Sequence, residues 1–173
     1  MTKWMFTYNP DYYDLDRRLR DGLTIDHWRA ARYRNELNVG DLFYIWQTGY
    51  TSGIIGFGVI AGEPFKSDES KDSYWTEPRS KGHPLFNSKV IGAVPITVRV
   101  WLNPIRGKEN CETHPVLRDA SVIKTPWLGN PHYINDQQSD AFTEQLLAEI
   151  SLLQFLNADL CGTIDICRAD GIP

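Results

Sequence analysis

HWRAARYRNELNVGDLFYIWQTGYTSGIIGFGVI, residues 27–60, is the stretch of the sequence that decides the fold. Residues 41–48 follow a Gly-Asp turn and are rich in aromatic and branched side chains, which predicts a strand. Residues 49–53 predict a hairpin loop, and residues 53–63 predict the returning strand. The glycines of the returning strand predict β-bulges, or a backbone that another group approaches closely.

The segment ahead of the hairpin places Trp28 among three arginines, Arg29, Arg32 and Arg34. Residues 26–37 fit either a strand or a turn into a short helix, and the pattern does not decide between them. The stretch contains no acid-base dyad, thiol-imidazole pair or metal-ligand spacing. We therefore expect it to hold something flat beside something negatively charged.

The N-terminal part of the chain predicts one strand and one helix. Residues 3–8 form a short aromatic run typical of a strand. Asn9 is the predicted N-cap of a helix with Pro10 at its first position and Gly22 as its terminator. A polar excursion over residues 64–88 then interrupts the regular pattern, and long irregular segments of this kind are often functional loops.

The C-terminal part predicts more strand and a final helix. Residues 90–102 are strand-like, as one strand or two. Asn135 and Gln138 form a predicted capping box, opening an amphipathic helix that ends near residue 157. This order of elements predicts an α+β fold, a small and strongly curved sheet or open barrel flanked by helices. We expect a single domain over residues 1–160 and a tail over residues 161–173.

Charge is uneven along the chain. The 173 residues carry a net charge of −4, which argues against a binder dominated by phosphate contacts. Residues 17–34 nevertheless carry +4, so that the remainder carries −8. This basic patch can dock a phosphate backbone locally, although Arg17, Arg18 and Arg20 are equally well explained as a solvated helix face. Three cysteines, no signal peptide and no membrane-spanning run predict a cytoplasmic protein without membrane contact.

Catalytic and metal sites are not predicted. The histidines and cysteines show no CxxC or HExxH spacing, and Cys111 with His114 makes a poor zinc half-site. Cys111 with His114, or Ser139 with His132, sits on no recognisable nucleophile elbow. The hairpin glycines do not match a phosphate-binding loop. We therefore expect no enzyme, no cofactor and no metal.

The six tryptophans divide into two groups by their surroundings. Trp4, Trp46 and Trp101 lie in apolar strands, where core packing explains them. Three others, Trp28, Trp75 and Trp127, lie in polar or loop contexts from separate parts of the chain. Rings of this kind can form a cage around a planar group, and stacking on an extruded base contributes roughly 1–3 kcal/mol. Arg29 and Arg32 are then candidates for the flanking phosphates.

These residues, taken in order, resemble the EVE domain, a member of the PUA-like superfamily related to YTH domains. The matching pieces are KWMFTYNP, Trp28 with Arg32-Tyr33-Arg34, GD leading into FYIWQ, the glycines of the hairpin, and VRVWLNPI. The resemblance implies a PUA-like mixed β pseudo-barrel flanked by α-helices. It also implies a non-catalytic module that recognises a modified base in nucleic acid, of the 5-methylcytosine or 5-hydroxymethylcytosine type.

The resemblance also implies positions for the site. Trp28 and Trp75 match two positions where cage aromatics are expected, and Trp127 with Asn130 is our prediction for the remaining wall. Asn9 and Tyr33 complete the predicted pocket, and Arg29, Arg32 and Arg34 are the predicted phosphate ligands. Modified DNA is favoured over RNA as the partner, with a nuclease or other effector acting beside it. Two alternatives stay open: a pocket for a small molecule or modified nucleoside, and a docking module for a protein.

Overall fold

The computed structural model describes residues 2–68, 72–76, 90–105, 107–126 and 128–155. Within these residues, seven strands form one curled, mixed sheet. The strands are β1 (Lys3–Tyr8), β2 (His27–Arg29), β3 (Leu42–Gln47), β4 (Gly53–Ile60), β5 (Phe65–Asp68), β6 (Val90–Ile105) and β7 (His132–Ile134). The helices are α1 (Leu15–Arg20), α2 (Lys108–Thr113), α3 (Ser121–Lys124) and α4 (Asp136–Phe155), with 3-10 turns at Arg34–Glu36 and Leu117–Asp119.

The strands follow the order β2-β6-β4-β3-β1-β7, and β5 also pairs with β6. β1 and β3 are parallel, whereas the hairpin of β3 and β4 is antiparallel. β6 is long enough to pair with β5 and β2 through its first half and with β4 through its second half. One strand therefore connects both parts of the sheet and curls it into a half-barrel. The predicted α+β pseudo-barrel flanked by helices is confirmed.

Two hydrophobic cores lie on opposite faces of this sheet. The inner core contains Trp4 and Phe6, and the outer core contains Met5, because successive side chains of a strand point to opposite faces. The outer core, which includes Trp46 and Phe142, is covered by α2, α3 and α4. The prediction that Trp4 and Trp46 are core residues is confirmed, since each is only 1% exposed. The side chain of Trp101 lies outside the described residues.

The β3–β4 hairpin confirms both expectations for its glycines. The register shifts between Ile45 and Trp46, which is a local irregularity of the pairing. A Cβ atom at Gly58 would lie 2.1 Å from the carbonyl oxygen of Thr97 on β6. A Cβ atom at Gly56 would lie 2.7 Å from the carbonyl oxygen of Arg99. Glycine is required at Gly58 because the neighbouring strand approaches its backbone closely.

The turn before β3 is held by a buried carboxylate. Asp41 is 4% exposed and accepts hydrogen bonds from Trp4 Nε1 at 3.1 Å and from the backbone N–H of Thr2 and Asn38 at 2.9 and 3.1 Å. Gly40 precedes it with φ of +88°, a conformation that glycine adopts without strain. The Gly-Asp pair therefore fixes the start of β3 against β1.

The first helix begins later than predicted. Asn9 is not its N-cap: the Asn9 carbonyl oxygen accepts from Tyr12 and Tyr13 in a turn, and the cap of α1 is Asp14. The reason is tertiary, because Tyr13 is drawn into a β-bridge with Trp75 and leaves the helical path. At the other end, the capping box is confirmed, with the Gln138 N–H donating to Asn135 Oδ1 at 2.9 Å.

The remaining differences between the predicted and the observed elements concern the number and the boundaries of the strands. The undecided segment contains a strand, β2, followed by a 3-10 turn. Residues 90–105 form one strand rather than two, and the polar excursion contains β5, which the pattern did not predict. The tail over residues 161–173 lies outside the described residues. Among those that are described, no helix is both long and apolar enough to span a membrane.

Candidate functional site

A cavity of about 760 Å³ opens where the C-terminal end of β1 meets β2. Six segments contribute to its wall: the end of β1 and the turn after it, α1, residues 25–32 with β2, the start of the β3–β4 loop at residues 48–49, the loop at residues 72–76, and the loop around residues 126–130. Six of the predicted site residues border it, namely Asn9, Trp28, Arg29, Arg32, Trp75 and Asn130. The structure thus brings together residues that are as much as 121 positions apart in the sequence, since Asn9 and Asn130 both border the cavity.

Trp28 is half-buried at one side of the cavity. It pairs with Val94 in the antiparallel contact of β2 and β6, so the sheet fixes its backbone. Its indole packs against the inner hydrophobic core while still bordering the cavity. A ring placed in this way offers apolar surface at a small cost in side-chain entropy.

Trp75 borders the cavity from the loop at residues 72–76. It forms a β-bridge with Tyr13, and the two rings meet edge to face with centroids 4.8 Å apart. The loop is further bound to the turn before α1, because the Asp14 N–H donates to the Tyr74 carbonyl oxygen at 2.7 Å. The Thr76 N–H donates to the Tyr12 carbonyl oxygen at 3.0 Å. These bonds fix the position of the Trp75 backbone.

Three polar side chains form a closed network beside Trp75. The Tyr13 hydroxyl donates to Asp72 Oδ2 at 3.0 Å and accepts from Arg18 Nη1 at 2.8 Å. Arg18 Nη1 also lies 3.4 Å from Asp72 Oδ2, and Arg18 Nη2 donates to the Thr24 carbonyl oxygen at 2.9 Å. Burial and the Asp72 carboxylate raise the pKa of Tyr13, so its hydroxyl stays neutral. The network therefore clamps the Trp75 loop to α1.

The arginines of α1 make contacts with other residues of the protein. Arg18 has a side chain that is only 18% exposed and belongs to the network with Asp72. Arg17 donates to the Ser73 carbonyl oxygen, and its guanidinium lies 4.8 Å from the centre of the Tyr74 ring. Arg20 pairs with Asp16 on the same helix. Arg17 and Arg18 both contact the loop at residues 72–76. Arg17 and Arg20 lie on a solvated face, with side chains 48% and 67% exposed, whereas Arg18 does not.

Arg32 is the exposed cation at the edge of the cavity. Its Nη1 donates to the Leu128 carbonyl oxygen at 3.0 Å, and its Nη2 donates to the Tyr33 hydroxyl at 3.1 Å. Its guanidinium also lies 4.9 Å from the centre of the Tyr33 ring. Arg29 borders the same cavity from β2 and is half-buried. Two guanidinium groups are therefore positioned by the fold at the cavity wall.

Asn130 borders the cavity, but its carboxamide is committed to β1. Its Oδ1 accepts from both the backbone N–H and the hydroxyl of Thr7, and its Nδ2 donates to the Thr7 carbonyl oxygen at 2.8 Å. β7 pairs with β1 only as far as Met5, opposite His132, the first residue of β7. The side chain of Asn130, which precedes β7, continues the contacts to β1 at Thr7. The Asn130 carbonyl oxygen also accepts from the N–H groups of Ala31 and Arg32 at 2.9 and 2.8 Å. Asn130 thereby ties three walls of the cavity together.

Two of the predicted site residues that the structure describes, Tyr33 and Arg34, do not border this cavity. Tyr33 and Arg34 line a separate cleft of about 540 Å³, and the Tyr33 ring packs 5.6 Å from that of Trp4. Trp127 lies outside the described residues, although Pro126 and Leu128 border the cavity.

Sequence reasoning missed several residues of the wall. Tyr8, Tyr12 and Tyr13 border the cavity together with His27 and Asp72. The tyrosines come from one run, YNPDYYD, whose three rings signal an aromatic surface where a helix was predicted. Burial raises the pKa of Tyr8 to about 12, so it too stays a neutral phenol. The sequence around Asp72 gave no indication of its role, because its partners Tyr13 and Arg18 lie more than 50 positions away.

Metal-binding chemistry has no support in the part of the chain that the structure describes. No group of three or more His, Cys, Asp or Glu residues there could hold a metal ion. Cys111 is buried in the outer core, and the His114 ring accepts from the backbone N–H of Val116 and Leu117. Of the pair considered as a zinc half-site, Cys111 therefore packs in the core and His114 stabilises a turn.

Comparison with known proteins agrees with this architecture. The family model of the EVE domain matches residues 2–132, which confirms the resemblance seen in the sequence. No curated protein sequence matches the chain.

Solved structures of the same fold come from distant organisms. A hypothetical protein from Leishmania major is 14% identical, with a TM-score of 0.56, over 87% of this chain and 97% of that one. A protein from Pseudomonas syringae is 18% identical, with a TM-score of 0.55, over 82% and 97%. The human THYN1 protein in complex with DNA containing 5-methylcytosine is 14% identical, with a TM-score of 0.50, over 84% and 98%. At these identities the likeness shows a shared fold.

Proposed function

The chain belongs to the EVE domain family, and on that premise we propose that it is a non-catalytic nucleic-acid-binding module that recognises a modified base. The base, of the 5-methylcytosine or 5-hydroxymethylcytosine type, is flipped out of DNA into the cavity between Trp28 and Trp75. The observation that carries this proposal is the cavity of about 760 Å³ with two half-buried tryptophans on its wall. Enclosing a flat group between such rings is the usual way in which proteins hold an extruded base.

The charges at the wall support a polymer with a phosphate backbone. Arg29 and Arg32 border the cavity, and Arg32 is exposed. A flipped nucleotide carries a phosphate on each side, so cations at the rim can contact the backbone while the base lies inside. The net charge of −4 keeps non-specific attraction weak, which leaves selectivity to the cavity.

The hydrogen-bonding pattern supports binding rather than catalysis. Tyr13, Arg18 and Asp72 satisfy one another, and the raised pKa of Tyr13 keeps its proton on the phenol at neutral pH. An acid-base catalyst needs a pKa near the working pH and a partner on the substrate. The human THYN1 structure, which contains 5-methylcytosine DNA, supports DNA as the polymer. A nuclease or another effector is proposed to act as the partner that responds to binding.

A titration with matched duplexes tests the proposal. We expect a duplex containing 5-methylcytosine to bind more tightly than the same duplex without the methyl group. Trp28→Ala should weaken binding by about 5- to 150-fold, which corresponds to roughly 1–3 kcal/mol for one stacked base. Because Trp28 also packs on the core, Trp28→Phe is measured as well, and it should retain part of the affinity and the fold.

The control is Phe57→Ala, which removes an aromatic ring that is 43% exposed on β4 and borders neither cavity. Equal affinity for the two duplexes, or equal effects of the Trp28 and Phe57 substitutions, would refute the proposal. Tight binding of free modified nucleoside together with no binding of DNA would favour the small-molecule pocket instead.

A further inference from the structure

A second cleft of about 540 Å³ lies beside the cavity. Its wall combines the residues after β2 with β5, and includes Tyr33, Arg34, Glu36, Phe65 and Lys66. Phe65 is 41% exposed, and both Arg34 and Lys66 are exposed. The cleft thus offers two cations, one carboxylate and an open aromatic face.

The two depressions are adjacent. Ala31 borders both of them. His27 borders the cavity, and its ring meets that of Phe65 edge to face with centroids 5.6 Å apart. The cleft therefore adjoins the cavity at Ala31 and at the contact of the His27 and Phe65 rings.

The two cations of the cleft, Arg34 and Lys66, come from separate segments of the chain that both adjoin β6. A Cβ atom at Gly92 would lie 2.7 Å from Arg34 Nη1, so the guanidinium lies against the backbone of β6. Lys66 comes from the neighbouring strand β5, which pairs with β6 at Gly92. Within the described residues, neither Arg34 nor Lys66 forms an ion pair. Each remains available to an anion.

We propose that this cleft is a second nucleotide subsite, in which Arg34 and Lys66 hold a backbone phosphate next to the flipped base. This inference rests on the proposed function of the neighbouring cavity. The exposed ring of Phe65 packs against the sugar or base that follows this phosphate. Glu36 lies in the same cleft and lowers the combined charge of Arg34 and Lys66 from +2 to +1, which disfavours tight binding of a free phosphate.

The test compares Arg34→Ala/Lys66→Ala with Lys108→Ala/Lys124→Ala. Both double variants remove two positive charges, but Lys108 and Lys124 lie on α2 and α3, away from the cleft and the cavity. Binding of a 5-methylcytosine duplex is measured over a salt series. Binding of free 5-methyl-2′-deoxycytidine is measured in parallel.

We expect the cleft variant to bind the duplex less tightly and to reduce the slope of log K against log salt by about 0.9, the contribution of the one phosphate that Arg34 and Lys66 hold. Its binding of the nucleoside should equal that of the wild type. A salt slope equal to that of the helix variant, or an equal loss for nucleoside and duplex, would overturn the subsite.

A second measurement locates the phosphate. Replacing single phosphates beside the modified base by neutral methylphosphonates should weaken wild-type binding at one position and leave the cleft variant unaffected there. Equal sensitivity of both proteins at every position would also overturn the inference. If the wild type does not distinguish methylated from unmethylated DNA, the proposed function fails instead, whatever the salt slopes of the variants.

Discussion

Replacing Asn130 by alanine removes the side chain that contacts β1 at Thr7, beyond the point where β7 pairs with β1. Three hydrogen bonds to Thr7 are lost, two accepted by Oδ1 and one donated by Nδ2. Each bond contributes about 1 kcal/mol net, so we expect the free energy of unfolding to fall by about 3 kcal/mol. For a chain of this size the Tm should then fall by about 6–12 °C.

The assay is thermal and urea unfolding followed by circular dichroism. Asn38→Ala is the matched control, because its amide makes one exposed hydrogen bond, to the Glu36 carbonyl oxygen. Asn130→Asp should be intermediate, since it keeps the acceptor but places a negative charge against the Thr7 carbonyl oxygen. An Asn130→Ala Tm within about 2 °C of the Asn38→Ala value would refute the reasoning and would return Asn130 to the role of a free base-contacting amide.

Three further predictions concern stability. Asp41→Ala should cost about 3 kcal/mol in urea unfolding because one buried and two part-buried donors lose a charged acceptor. A loss below about 1 kcal/mol would contradict this. Burial and a nearby cation lower the pKa of His132 from 6.5 to about 4. As the pH falls, the unfolded chain therefore takes up this proton before the folded chain does. The free energy of unfolding should then decrease between pH 6.5 and pH 4 by up to about 1.4 kcal/mol per pH unit. His132→Gln should flatten that slope, and an unchanged slope would exclude His132 as its origin. Gly58→Ala should prevent soluble folding, since its Cβ would lie 2.1 Å from the Thr97 carbonyl oxygen. The control Gly107→Ala should fold normally. A soluble Gly58→Ala variant with an unchanged Tm would contradict the β4–β6 packing.

The fold was readable from the sequence where local pattern and tertiary structure agree. The hairpin of β3 and β4 combines strand propensity, turn residues and glycines required by a close neighbour, and all three signals point the same way. The capping box at Asn135 worked for the same reason, because both of its hydrogen bonds are local. The start of α1 was wrong because Tyr13 is held by Trp75, more than 60 residues away.

The candidate site was only partly readable. Aromatic rings in polar contexts identified Trp28 and Trp75, and both border the cavity. The clamp of Arg18 and Asp72 was not readable, since charged residues in a charged segment look solvated until their partners are known. Asn130 was predicted to border the pocket, but its hydrogen bonds to Thr7 depend on where β7 begins beside β1, which no local pattern specifies.

The measurement that tests the central claim most directly is the NMR spectrum of the indole N–H groups during a titration with DNA. The chain contains six tryptophans, so the signals can be assigned with single Trp→Phe variants. With a 5-methylcytosine duplex, the signals of Trp28 and Trp75 should shift, while those of Trp4 and Trp46, each 1% exposed in the two cores, should stay in place. Unchanged Trp28 and Trp75 signals at saturation, or the same shifts with an unmodified duplex, would contradict the binding of a modified base in this cavity.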